Sequence, residues 1–322
     1  MKFKHTFHVF VDNFSVIYKQ LLYRLVVGII AALLTSIIIY EFAIQFINSS
    51  AFTTLWDGAH EFVKKLLYGE TGELGKISEN VRKAFDELKI LVSTKMPELI
   101  VSLLLILLVN IVAKWFGGLG NYATGAVIND KMTLHADLPF LSTLVRNLKE
   151  AAIYNAIYAP LSVLYDVAVC AAMLFFTFLL VNSGLPAIFG IFLFALVVVA
   201  SITIKMTFTT DWLPAIIRGK KKQGEALKYA FSRKGKRTMN VMSNFAVLVL
   251  IILGMNVAAL FLTFGVGLLI SIPASYVIIV TFELVNYYDR EEIKYFIDKN
   301  NVVKPEKETV LSREKFFTDD EE

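Results

Sequence analysis

The chain alternates long apolar tracts with polar connectors, and the lengths of the tracts decide its class. Six tracts stand out: Arg24 to Ile47, Pro97 to Trp115, Ala152 to Val181, the stretch after Pro186 to Phe208, Val241 to Phe264, and Gly267 to Leu284. At 1.5 Å of rise per residue, about 20 residues in a helix cross a hydrocarbon core roughly 30 Å thick. The pattern therefore predicts an all-α integral membrane protein, a bundle of six transmembrane helices with interfacial amphipathic helices. The bundle spans 24–284, preceded by an interfacial helix over 1–23 and followed by a partly disordered tail over 285–322. The uncharged turns Asn182-Ser183-Gly184-Leu185-Pro186 and Phe264-Gly265-Val266-Gly267 close two hairpins that run in the same sense.

The polar connectors differ in character. In 1–23, Phe3, Phe7, Phe10, Phe14, Ile17 and Leu21 recur three or four apart, a stripe that suits a helix lying in the membrane interface. Residues 49–96 carry two helical stripes, Leu55 to Leu67 and Ile77 to Val92, separated by Gly69, Gly72 and Gly75, and read as an outer helical hairpin. Gly117-Gly118-Leu119-Gly120 follows the second tract, where it reads as a helix terminus; it lacks the GxxxxGK[ST] pattern of a phosphate loop. Pro160 either kinks the third span or starts it. Trp56, Trp115 and Trp212 all fall at span ends, where indole rings favour the headgroup layer.

Charge then orients the bundle. The loop 209–238 contains Arg218 to Arg237, with nine Lys or Arg against the single acid Glu225. Short basic loops stay on the cytoplasmic side, which places both termini there too. Composition agrees with the class, since 56% of the 322 residues are hydrophobic and only 19% charged, with a mean hydropathy of +0.61, where a soluble domain runs near 45–50% apolar. The lone Cys170 excludes an intramolecular disulfide and a cysteine-rich metal site. The N-terminal segment has no small-x-small cleavage site, so the first span is expected to remain as an anchor.

Candidate chemistry is sparse. Ionised groups inside apolar tracts are costly unless paired or hydrated, and Asp166, Lys205 and Glu283 are the intramembrane polar group singled out on that ground. Asp166 lies 18 residues from Gly184, and Glu283 the same number from Gly265, each roughly 27 Å along its helix. Lys205, on the antiparallel partner of the Asp166 span, has a stem long enough to reach Asp166, so the two are expected to pair with Glu283 nearby. Asn110 and Asn256 are mid-span amides suited to bonding between helices. His5 and His8 sit one turn apart but lack further ligands, so no metal site is expected. No Ser/His/Asp, HExxH or paired-carboxylate motif appears, so neither catalysis nor a cofactor is expected.

The loop has its own candidate role. Leu227, Ala230 and Phe231 share a face of a short helix, and the bases Arg218, Lys220, Lys221, Lys222, Lys228, Arg233, Lys234, Lys236 and Arg237 are candidates for contact with anionic lipid headgroups. A protein partner is the other candidate; a patch set against the membrane does not suit nucleic acid.

Trp212-Leu213-Pro214, Glu225-Ala226-Leu227 with Phe231, and Lys234-Gly235-Lys236 leading into a span resemble a cytoplasmic signature of bacterial multi-pass families similar to the membrane domain found beside glycerophosphodiester phosphodiesterases. The resemblance covers Leu138 to Tyr295 and implies a bacterial inner-membrane bundle. The hydrolase barrel of those enzymes has no counterpart here, so their activity is not implied. Two functions remain open: a non-enzymatic membrane protein organising lipid or partner proteins, and a transporter or transporter subunit using Asp166, Lys205 and Glu283.

Overall fold

The computed structural model describes residues 2–68, 86, 89, 93, 96–182, 187–232, 236–298 and 301–303. Its helices are α1 (Lys2–Asp12), α2 (Ser15–Ile47), α3 (Ser50–Tyr68), α4 (Met96–Leu134), α5 (Phe140–Arg146), α6 (Leu148–Asn182), α7 (Ala187–Thr209), α8 (Trp212–Ile217), α9 (Gln223–Ala230), α10 (Lys236–Leu262) and α11 (Leu268–Arg290). A two-stranded antiparallel hairpin, β1 (Tyr295–Phe296) and β2 (Val302–Val303), follows, with Tyr295 opposite Val303. Among the described residues six helical stretches are long and apolar enough to cross a membrane, and the protein is an all-α membrane bundle. The second arm expected for the outer hairpin, Ile77 to Val92, lies outside the described residues apart from 86 and 89.

The chain divides into two compact units: Met1–Arg24, Gly118–Tyr154 and Thr203–Glu322 form the first, and Leu25–Gly117 and Asn155–Ile202 the second. The first is organised around α11. Its half from Thr281 to Tyr288 is buried at every position, on all faces of the helix, which requires packed neighbours on every side. Val9 of α1, Val16 and Ile17 of α2, and Val127, Ile128 and Met132 of α4 share one apolar cluster with it. Val241, Phe245 and Leu248 of α10 form another, where Phe245 meets Phe282 edge to face with ring centroids 4.9 Å apart. The second unit presents much of its apolar surface outward: Ile37 is 74% exposed, and the most apolar window of α2 is unburied by protein. Lipid is as apolar as leucine, so such faces need no protein cover.

Several boundaries depart from the hydropathy pattern, for one reason: polar helix can be protected by protein as well as apolar helix by lipid. α4 does not end at Gly117-Gly118-Leu119-Gly120 but runs on to Leu134. Gly120 serves close packing instead, since a Cβ there would come within 2.6 Å of the Tyr23 ring. α6 continues through Pro160 rather than starting there. The N-terminal helix stops at Asp12, and α2 begins at Ser15. The aromatic stripe of α1 is not left to the membrane, because Phe3 packs 5.4 Å from Phe282 and Phe7 and Phe10 join the same cluster. Trp212 is 2% exposed and sits edge-on to Tyr154 at 5.1 Å, so a buried aromatic pair replaces the headgroup position expected of it.

Candidate functional site: a basic loop on a buried support

The segment after α7 turns inward. All six residues of α8 are buried, although the helix is too short to register as a periodic pattern. The loop that leaves α8 uses its carbonyls: the N–H groups of Arg218 and Gly219 donate to Pro214 O at 2.8 and 3.3 Å, and that of Lys221 to Ala215 O at 3.1 Å. These are acceptors that a helix end otherwise leaves unsatisfied. Lys220 holds a φ of 51°, the left-handed conformation that reverses the chain there. A Cβ on Gly219 would meet the Ala215 carbonyl oxygen at 2.6 Å, so glycine is what allows this approach. The bases from Arg218 to Lys222 are thus held on a packed base.

Side chains from α11 complete the site. Arg290, in the last turn of α11, forms an ion pair with Asp211, whose side chain is fully buried. The Arg290 Cζ lies 3.9 Å from the Tyr229 ring centroid, and Lys221 Nζ lies 3.4 Å from that same centroid. Tyr229 donates its hydroxyl hydrogen to Glu291. Burial of the phenol and this bond to a carboxylate raise the Tyr229 pKa above its ordinary value. Arg290 Nη2 also donates to Ser232 Oγ at 3.2 Å. Arg218 lies 5.6 Å from the ring centroid of Tyr288, which donates to Asn129 Oδ1 at 2.9 Å. Lys220, Lys222 and Lys228 are exposed, and Phe231 stacks on Phe208 at 5.9 Å. Arg233 and Lys234 lie outside the described residues, as do the side chains of Lys236 and Arg237.

A second arrangement connects α1 to β1 within the same unit. Tyr295, 1% exposed, donates to Asp289 Oδ1 at 3.2 Å, and His5 Nδ1 lies 3.0 Å from the Tyr295 hydroxyl. With the phenolic hydrogen committed to Asp289, Nδ1–H of His5 is the donor to the Tyr295 oxygen. Burial lowers the His5 pKa from its ordinary value, while the charge of Asp289 raises it and that of the N-terminus lowers it further. The phenol of Tyr295 is raised, first by burial and then by Asp289.

The intramembrane group divides between the units. Asp166 lies in the second, where it forms an ion pair with Lys114 of α4, and Lys114 Nζ also donates to Ser162 Oγ at 3.0 Å. Lys205 and Glu283 belong to the first unit, and Glu283 is buried in α11. Asn256 does bond between helices: its amide donates to Ser275 Oγ at 3.1 Å and its oxygen accepts from Ser271 Oγ at 2.7 Å. Asn110, by contrast, is exposed and donates to Ile106 O of its own helix. Asp211, Tyr229, Arg290 and Lys114 are the residues that sequence reasoning passed over. The signal was present for one of them, since Lys114 is a single charge set among apolar neighbours.

Comparison of the chain with protein-family models, with curated proteins and with solved structures finds no match.

Proposed function

We propose that this chain is a non-enzymatic multi-pass membrane protein that gathers anionic lipid, and partner proteins recruited through it, at the cytoplasmic end of its helix bundle. One observation carries the reading: the bases of Arg218–Lys222 are fixed by backbone bonds to α8 and by Lys221 stacking on Tyr229. A loop serving only to orient the chain during insertion needs charge and no such support. In this reading the loop faces the anionic inner leaflet of the cell membrane, which is also the side the positive-inside rule assigns to both termini.

The exposed Lys220 and Lys222 supply the test, because replacing them leaves the packed support intact. Each base near an anionic leaflet contributes about 1 kcal/mol, so removing two weakens retention of anionic lipid about thirtyfold. The purified protein is mixed with phosphatidylglycerol and phosphatidylcholine in detergent micelles, and retained lipid is counted by native mass spectrometry. The variant K220Q/K222Q is expected to lose phosphatidylglycerol selectively. Equal retention of phosphatidylglycerol by both proteins at low salt refutes the proposal.

One observation favours transport as a second reading. Lys114 lies 18 residues after Met96, the start of α4, and Asp166 16 residues before Asn182, the end of α6, so they stand roughly 27 and 24 Å along their helices, and they pair. An ion pair within apolar spans marks a substrate or proton path in many bundles. Proton-coupled flux into proteoliposomes that Asp166→Asn abolishes would establish it; the absence of any flux from the intact protein, over a panel of ions and small metabolites, removes this reading.

A further inference from the structure

We infer that the acidic segment at residues 304–322 is an internal competitor for the basic loop, occupying Arg218–Lys222 when anionic lipid is scarce. The inference rests on the reading of that loop as an anion site. Three observations lead to it.

Charge is matched in density. Asp319, Asp320, Glu321 and Glu322 are four consecutive acids, and the loop presents Arg218, Lys220, Lys221 and Lys222 within five positions. The point where the segment leaves the fold is pinned. Tyr295 is buried, bonded to Asp289 and His5, and edge-to-face with Tyr288 at 5.4 Å, while the Ile297 N–H donates to Asn301 O at 2.9 Å to close the hairpin that ends at Val303. That point also lies close to the loop. Arg218 is 5.6 Å from the Tyr288 ring, Tyr288 is 5.4 Å from Tyr295, and Tyr295 faces Val303 across the strands. Facing Cα atoms are about 5 Å apart, so Val303 stands within roughly 20 Å of the Arg218 guanidinium.

Reach follows from chain length. Asp319 is 16 residues beyond Val303, which allows roughly 50 Å at full extension, more than twice what is needed. A segment tethered this closely meets the loop at an effective concentration in the millimolar range. It therefore competes with lipid that binds weakly, and yields to a leaflet dense in anionic headgroups. Both contacts are between solvated charges, so salt beyond about 0.15 M weakens both.

Five forms of the protein in phosphatidylcholine nanodiscs test this: the intact chain, a truncation after Val303, the neutralised segment D319N/D320N/E321Q/E322Q, K220Q/K222Q, and K220Q/K222Q carrying the truncation. Binding of a short-chain phosphatidylglycerol is measured on each at low salt. Truncation and neutralisation are expected to tighten binding about tenfold, and truncation added to K220Q/K222Q is expected to change nothing. Carbodiimide coupling of the intact protein is expected to join Lys220 or Lys222 to a carboxylate among residues 319–322 within one chain. If truncation leaves binding unchanged while K220Q/K222Q weakens it, the competitor role falls and the lipid reading stands. If K220Q/K222Q binds lipid as the intact protein does, the lipid reading falls. If no such cross-link forms, the contact itself is overturned, whatever the binding data.

Discussion

The Asp211–Arg290 pair sets the firmest quantitative expectation. Asp211 is wholly buried and Arg290 nearly so, with side-chain exposures of 0% and 12%. Replacing Arg290 by Met keeps the length of the side chain but leaves a buried carboxylate without its cation, which costs about 3–5 kcal/mol. The lost stacking on Tyr229 contributes within that range, at about 0.5–2 kcal/mol. Asp211→Asn keeps the shape and a weaker bond to the guanidinium, so its cost is lower, about 1–3 kcal/mol. In the double variant both charges are gone, and its loss should fall short of the summed single losses by at least about 1 kcal/mol. Trp212 adjoins Asp211 and is buried against Tyr154, so with Trp56 and Trp115 changed to Phe its fluorescence follows the unfolding of this unit in a denaturing-detergent titration. If R290M costs less than about 1 kcal/mol, or if the losses add to within about 0.5 kcal/mol, the pair does not hold α8 to α11 and the loop is not supported through it.

Two further expectations use other contacts. Gly120→Ala gains helix propensity of up to about 1 kcal/mol but forces the Tyr23 ring to move, and overpacking of this kind costs about 1–3 kcal/mol; a net loss is expected, while Gly117→Ala, with nothing within 4 Å of its added Cβ, is expected to gain, and equal effects at the two sites in a stability titration would contradict the packing role. His5 has a folded-state pKa below its ordinary value, so the unfolded chain binds the extra proton more readily, and the α1 contact with Tyr295 loses stability as pH falls below about 6.5. Hydrogen exchange in residues 2–12 is expected to quicken between pH 7 and pH 5 after correction for intrinsic rates, and a profile that H5N leaves unchanged would exclude His5 as the cause.

The spans were legible because an apolar run of about 20 residues matches the thickness of a bilayer and exceeds what a soluble core element needs. Their extensions were not. Residues 118–134 of α4 carry Asn121, Thr124, Asn129, Asp130 and Lys131 among apolar positions, a mixture that hydropathy alone reads as a connector. The side chains find partners that only the fold supplies: Asn121 Oδ1 accepts from Gln20 at 2.9 Å and Arg24 at 2.7 Å, and Asn129 accepts from Tyr288. A helix protected by such bonds does not need the continuous apolar pattern that lipid demands. The packing of the α1 stripe was hidden for a related reason, since a face suited to the membrane interface is equally suited to α11.

The site shows the same division between composition and contact. Nine bases in twenty positions are visible in any reading of Arg218–Arg237, but charge density does not distinguish a loose loop from a held one. That distinction rests on Asp211 meeting Arg290 and on Lys221 meeting Tyr229, contacts fixed by the fold rather than by local spacing. Lys114 is the more instructive case. Asp166 stands out as a lone charge among apolar residues, and Lys114, between Ala113 and Trp115, does so equally; ending the span at Trp115 removed it from consideration. With α4 continuing through that point, both residues lie inside helices, and each supplies a charge opposite to the other's. A boundary drawn too early thus conceals a pair. For a membrane bundle, single charges flanking a span end are best weighed together with those inside it, because the cost of burying an ion falls on whichever of them the protein encloses.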